Sequence, residues 1–476
     1  MMKALQYILI AILIASATSC EKFVAVDPPI TELAESAVFV SDKTATAAMV
    51  GIYSDMNAYN YTFANEITMF MGPFSADEFN YEATAALLLE FKNNAVQPSN
   101  TYNGLAWSGP YNYIYRCNAV IEGVNASTTL STAVKTQLLG EAKFLRAFCY
   151  FYLVNLYGDV PLILDTDVLK NTNLPRTASA QVYTSIIADL TEAKSLLATA
   201  YPTGGERTRP TKGAASLLLS RAYLYTGNYA SAESEADAVI ANANYKLLAS
   251  ADINKVFLKN STETVWQLQS VNVSANKNTW EGYNMTPSNT AAPVTNFRLT
   301  RDTYGLVNAF ETGDLRKSNW TGSWVTAAKV TLTYPYKYKV QSNAAVTEYS
   351  MVLRFAEAYL IRAEARIQQN KLALGKADLD VIRSRAGLPA LALPASIAAG
   401  MLQVEKERRI ELFAEWGHRW FDLKRWKSLT GDATKSRADD ILPLSKTTWK
   451  SSAALMPIPA EAITSNPNLV QNPGYN

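Results

Sequence analysis

The sequence predicts a mostly α-helical protein, built from helical hairpins and interrupted by loop-rich, partly β segments. Three observations predict it. Long stretches carry apolar residues in steps of three and four, the spacing that keeps one helix face inward. Gly and Pro punctuate these stretches at helix-sized intervals. Two regions, 60–111 and 270–350, lose the helical stripe and turn to Asn, Thr, Ser, Gly and aromatics. The chain has 476 residues, of which 48% are hydrophobic and 18% charged, a globular composition rather than a disordered one.

Composition also narrows the function classes. A net charge of +2 gives no electrostatic case for nucleic acid, which needs a concentrated basic face. The single histidine, His418, excludes most zinc sites and most His-based nucleophile arrangements. No metal or cofactor is expected. Of the three cysteines, Cys117 and Cys149 fall in apolar helical stretches. Buried free thiols are the expectation for them, with a disulfide as the alternative in an oxidising compartment.

The first nineteen residues read as an export signal. Lys3 supplies a positive start, Leu5 to Ile14 is nearly unbroken apolar sequence, and small residues lead into Cys20. The apolar run is too short to span a bilayer comfortably. Ala17-Thr18-Ser19-Cys20 resembles a bacterial lipobox, in which the cysteine becomes the acylated first residue of the mature protein. Ordinary cleavage near Ala17, with an incidental cysteine, is the alternative. Acyl chains on Cys20 would anchor the protein, since each buried methylene contributes about 0.8 kcal/mol. Residues 20–30 are then a tether, in which Pro28-Pro29 favours an extended chain. No later segment approaches transmembrane length, so residues 31–476 are expected to form one body outside the membrane.

Helices are expected within 39–57 and 106–124. Thr132 to Tyr157 carries Leu138, Ala142, Leu145, Phe148, Tyr152 and Leu156 on one stripe and stops at Gly158, with Pro161 beyond. A second amphipathic helix falls within 181–200, before Pro202 and Gly204-Gly205. Lys212 to Asn242 reads helix, tight Gly227-Asn228 turn, helix. Ala215, Ala222, Ala232 and Ala236 sit where two antiparallel helices press together. The pattern reads as a tetratricopeptide (TPR)-like hairpin, which buries its apolar face only against a neighbour, with unrelated helical hairpins here and over 351–387 as the alternative. Met351 to Gly387 repeats the pattern, with one helix over Arg354–Gln369 and its partner over Ala373–Arg385. In the loop-rich region between these hairpins, Thr331 to Val340 has strand character.

Val404 to Trp426 (VEKERRIELFAEWGHRWFDLKRW) alternates charge along one predicted helix. Glu411 and Glu415 lie one turn apart, a spacing that suits paired acid–base catalysis. Glu405 also precedes Arg409 by four residues, the favourable order for a helix ion pair. A salt-bridged helix, packed through Ile410, Leu412, Phe413 and Trp416, is the preferred reading.

Four blocks resemble one known family, the SusD/RagB outer-membrane nutrient-binding lipoproteins of Bacteroidetes. They are Thr18 to Phe23 with Asp27-Pro28-Pro29; Gly140 to Ile163 (GEAKFLRAFCYFYLVNLYGDVPLI); Glu405 to Trp426, within the helix expected at 402–426; and the tail 456–476, with Met456-Pro457-Ile458-Pro459, Asn466-Pro467-Asn468-Leu469 and Gln471 to Tyr475. The resemblance runs from Cys20 to the end. It implies about four TPR-like helix pairs as a scaffold, with a loop-rich, partly β ligand-binding region packed on it. It also implies a lipid-anchored protein on the outside of the outer membrane. Such a protein captures oligosaccharide, or peptide in some members, for a SusC-like TonB-dependent transporter. The blocks at 140–163 and 405–426 are scaffold in that family, and no binding residue transfers from them.

Ligand contacts must therefore be sought by chemistry. Sugars show apolar C–H faces ringed by hydroxyls, which suit aromatic platforms beside amide, carboxylate and guanidinium groups. Exposed aromatics in non-helical segments are the candidates: Trp280 and Tyr283 in NTWEGYN, Trp320 and Trp324 in SNWTGSW, and Tyr81 in DEFNYE beside Asp77 and Asn80. The alternative for each is an aromatic that anchors its own loop. Trp107 precedes a helix with Tyr111, Ile114 and Tyr115 and is assigned to the core. Replacing Trp280 or Trp320 with Ala is expected to weaken glycan binding and leave the melting curve intact. Two rival functions stand beside this one. A surface glycoside hydrolase needs two carboxylates across a cleft. A TPR-type interaction scaffold needs no ligand of its own. No G-x-S-x-G elbow, P-loop or H-E-x-x-H occurs, and no catalytic residue is assigned.

Overall fold

A computed structural model describes residues 38–58, 63–81, 83–269, 277–287, 297–326 and 328–475. The signal peptide, Cys20 and the tether lie outside the described residues.

Helices stack in sequence order. The first pair is α1 (Asp42–Met56) and α2 (Thr101–Ala126); the second is α3 (Thr132–Tyr157) and α4 (Ser179–Leu196); the third is α5 (Lys212–Tyr225) and α6 (Tyr229–Ile240). The chain then leaves the stack, forms the short α7 (Trp280–Met285), and returns as a fourth pair, α8 (Phe355–Gln368) and α9 (Leu372–Arg385). Each scaffold helix packs on the next, and α8 packs on α6. This is the TPR-like scaffold that the family resemblance implies, two of whose hairpins the periodicity also predicts.

Local chemistry sets the helix ends. Ser131 caps α3 by accepting the Val134 N–H, and Gly158 ends it at φ 75°. Asn100 opens α2 by accepting from the amides of Tyr102 and Asn103, at 3.0 and 3.3 Å. The helix expected within 106–124 thus begins earlier, at Thr101, inside the segment 60–111 that reads as loop-rich. Gly227, at φ 75°, makes the tight turn between α5 and α6.

The non-helical parts supply three two-stranded antiparallel sheets among the described residues: β1 (Phe79–Tyr81) with β3 (Phe297–Leu299), β2 (Thr264–Leu268) with β6 (Ser350–Arg354), and β4 (Thr321–Val325) with β5 (Thr331–Pro335). The strand expected over Thr331 to Val340 thus ends at Pro335. Aromatic rings join these parts to the scaffold. Phe148 of α3 lies 5.2 Å from Trp266 of β2 and 5.4 Å from Trp416, centroid to centroid. Cys117 and Cys149 are buried free thiols.

The helix expected over 402–426 is in fact two, α10 (Ile397–Glu411) and α11 (His418–Arg425). Between them Ala414, Trp416 and Gly417 take positive φ of 55°, 43° and 72°. This left-handed turn, not a continuous helix, carries Glu415 beside Glu411.

Among the described residues no helix is long and apolar enough to cross a membrane.

Candidate ligand-binding surface

The charged segment near the carboxyl end is the first place to test for chemistry, and it proves structural. Glu411 is fully buried and accepts from Arg316 (3.1 Å), Arg354 (2.5 Å) and Arg385. Glu415 accepts from Lys337 (2.5 Å) and from both Nη2 (2.9 Å) and Nε (3.0 Å) of Arg354. The guanidiniums hold the Glu411 carboxyl well below the usual range, although burial alone would raise it. A carboxylate clamped this way neither donates a proton nor reaches a substrate. The ion-pair reading therefore holds with different partners: Glu405 pairs with Arg419 and Arg437, and Arg409 pairs with Asp77.

The candidate residues divide by burial. Trp320 is fully buried; its indole N–H donates to the Ile253 carbonyl at 2.9 Å, and the Lys337 Nζ sits 4.9 Å from its ring centroid. It anchors the core, which corrects its assignment to the ligand surface. Asp77 is likewise taken up by ion pairs within the protein. It is buried and accepts two bonds from Arg419, at 2.8 and 3.0 Å, and Arg409 reaches it at 2.8 Å. Tyr81 is buried in an aromatic cluster, 5.3 Å from Phe74 and 6.0 Å from Phe297. Trp280 is also buried, at 7% exposure, and anchors α7.

Asn80, Tyr283 and Trp324 remain at the surface, each half-buried. The backbone explains why. β1 pairs with β3 in the register Phe79↔Leu299, Asn80↔Arg298, Tyr81↔Phe297. Side chains alternate along a strand, so Phe79 and Tyr81 turn inward while Asn80 and Arg298 share the outer face. Helix α7 packs on β3. Its buried side is Trp280, Glu281, Gly282 and Met285, and Tyr283 falls on the other. Lys277 Nζ lies 3.7 Å from the Tyr283 ring centroid, a cation–π contact that fixes the ring.

The β4–β5 hairpin adds a second patch, which sequence reasoning found only in part. Gly322 pairs with Tyr334 and Trp324 with Leu332, so all four share one face. Tyr334 lies over Gly322, where any Cβ would stand 2.2 Å from the ring. Tyr336 stands 5.8 Å from Tyr334, edge to face, and Lys339 lies over it at 4.4 Å. Trp324, Leu332, Tyr334 and Tyr336 are all half-buried. The signal was present in the alternation of TLTYPYKYKV, where every second residue is Leu, Tyr or Val. β5 packs against β3, so the hairpin adjoins the α7 patch. The surface as a whole offers aromatic faces beside one amide and cationic donors, groups whose chemistry suits a polyhydroxylated ligand. Among the described residues no group of three or more His, Cys, Asp or Glu is placed to hold a metal ion. Residues 270–276 and 288–296, which adjoin this surface in sequence, lie outside the described residues.

Comparison with known proteins gives a consistent picture. The profile of a family described as "Starch-binding associating with outer membrane" matches residues 23–224, and that of the "SusD family" matches 308–475. SusD-like protein P2 of Formosa agariphila is 26% identical over 499 residues, covering 94% of this chain and 95% of that protein. SusD-like protein P25 of the same organism is 26% identical over 284 residues, so the chain spans only 52% of that relative's length. Among solved structures, a SusD-like protein from Bacteroides fragilis superposes with a TM-score of 0.76 at 22% identity, covering 94% of this chain and all (100%) of that one. A structure described as a laminarin-binding SusD-like protein gives 0.73 at 24% identity, with 91% and 99% covered. These structural likenesses speak to the fold.

Proposed function

The chain belongs to the SusD/RagB family, and from that premise we propose that it is a nutrient-binding lipoprotein of the outer cell surface. It captures oligosaccharide on the face built by α7, the β1–β3 pair and the β4–β5 hairpin. It then passes the sugar to a SusC-like TonB-dependent transporter and does not cleave it. Acyl chains on Cys20 hold it at the outer membrane.

The observation that carries this reading is the half-buried aromatic face, Trp324, Tyr334 and Tyr336, adjoining Tyr283, Asn80 and Arg298. Sugar C–H groups stack on such rings, and amide and guanidinium groups bond the hydroxyls. The family descriptions favour a glycan, since the matched profile is described as starch-binding and one structural neighbour as laminarin-binding. Against hydrolysis stands the fate of the densest acidic segment, whose carboxylates are taken up by Arg and Lys.

The test is a calorimetric titration with a panel that includes maltohexaose and laminarihexaose. Tyr283→Ala and Trp324→Ala should each weaken binding about tenfold, roughly 1.4 kcal/mol, with unchanged melting temperatures. Unaltered affinity in both variants would remove this face from the site.

A further inference from the structure

A groove of about 740 Å³ runs along the helical scaffold and shares no residue with the face described above. Its walls are the start of α2, the segment that follows α3, and the carboxyl tail. Such a volume falls within the range of about 300–1,000 Å³ typical of small-ligand sites. The walls are fixed by hydrogen bonds: Tyr111 donates to the Pro161 carbonyl at 2.9 Å, and Asn466 donates to that of Leu174 at 2.8 Å.

Its chemistry is specific. Trp107 and Tyr111 form one wall, their rings 5.2 Å apart and tilted by 51°. Trp107 is 8% exposed and packs edge-on to Tyr157. Its indole N–H makes no hydrogen bond within the described residues and is not among the buried unsatisfied atoms, so it opens to the groove that the ring lines. Leu105 gives an apolar contact, while Ser108 and Asn112 are exposed and their side chains bond no other described residue. Among the described residues that line the groove, Glu461 alone carries a charge at neutral pH. The lining has no cation for an acidic ligand. It alternates apolar patches with uncharged donors and acceptors, as the faces and rim of a neutral sugar require.

We propose that this groove is a second site for neutral oligosaccharide, separate from the loop-rich face. The inference rests on the reading of the protein as glycan-binding. Two sites on one chain would raise avidity for a polymer without any new contact at either.

The experiment follows the Trp107 indole N–H by nuclear magnetic resonance, its signal assigned by its loss in Trp107→Phe. Maltohexaose and laminarihexaose are the probes. The blocking variant is Gly104→Met. A side chain at Gly104 meets nothing within 4 Å, and Met is the better helix former, so the fold is retained. The Trp107 signal should shift saturably in the wild type and in Tyr283→Ala. In Gly104→Met the shift should vanish or need at least about tenfold more sugar, while calorimetric binding at the Tyr283 face persists. A signal that moves with neither sugar while the Tyr283 face still binds one overturns the groove and spares the main reading. So does a shift abolished by Tyr283→Ala but kept in Gly104→Met. A response to a proline-rich peptide in place of sugar assigns the groove to a protein partner and also overturns the proposal. If the wild type binds no sugar by calorimetry, both readings fall together.

Discussion

Trp320 and Tyr283 show how far residue type alone misleads. Both are aromatic, and both sit in polar sequence without a helical stripe, in short helices that the sequence does not announce. Yet Trp320 is fully buried with its N–H bonded to Ile253, while Tyr283 stays half-exposed under Lys277. Trp320→Ala should therefore cost about 3–5 kcal/mol of stability, the range for truncating a buried large aromatic. Thermal unfolding would show this as a clear drop in melting temperature, and an unchanged melting curve would contradict the burial. Local sequence did not reveal the difference, because what buries Trp320 is distant in the chain: Phe257, Arg354 and Arg385 pack on its ring. Glu78 offers a pH test. Burial first, and then the charge of neighbouring Asp77, push its carboxyl up to about 8. The folded state thus holds this proton more tightly than the unfolded chain does. The stabilisation is complete below the ordinary carboxylate range and is lost as pH rises through about 8. Relative to wild type, Glu78→Gln should gain stability steadily from about pH 5 to about pH 8 and level off above. Urea midpoints of both proteins across that range check it; a constant difference would show that Glu78 does not titrate there.

At the scale of elements, the long helices were legible and the turns between functional parts were not. The helix read over Thr132 to Tyr157 has those same ends in the structure, because a Ser cap, an unbroken stripe and a terminal Gly all agree. The segment 404–426 was misread because its 3.6-residue pattern continues through a turn. Three left-handed residues, two of them not Gly, are held there by tertiary bonds such as Trp416 Nε1 to the Met351 carbonyl at 2.9 Å. Those bonds are invisible to a local pattern. The same turn meets the π-helical stretch Ile67–Met71 at its end. A Cβ on Gly72 would stand 2.4 Å from the Gly417 Cα, backbone against backbone. Gly72→Ala should therefore destabilise by at least the roughly 1–3 kcal/mol of an overpacked core. Chemical denaturation measures it; wild-type stability in the variant would mean that the two segments part easily.

Seen whole, the molecule is a helical stack with a loop-rich face fastened to it by buried charge. Segment 405–426 does the fastening. Arg419 reaches Asp77 before β1, Glu411 gathers Arg316 and Arg354 from the middle of the chain, and Arg425 reaches Glu364 on α8. The resemblance carried by that segment concerned the scaffold, and the structure puts its charges to scaffold use. The proposed ligand face was legible only in part. Asn80, Tyr283 and Trp324 stand on it, whereas Arg298, Tyr334 and Tyr336 join it through strand pairings between segments far apart in sequence. Anchoring is a property of the whole protein in its cell. Cys20→Ala should release it from membrane fractions into the soluble one. Continued co-sedimentation with membranes would contradict acylation at that residue.

The central claim is that this face grips sugar and leaves it intact, and calorimetry of the mature protein with the oligosaccharide panel tests it most directly. The heat signal should saturate and return to baseline after each injection, and binding should weaken about tenfold in Tyr283→Ala. No saturable heat with any sugar, or a sustained heat flow from bond cleavage, would contradict it.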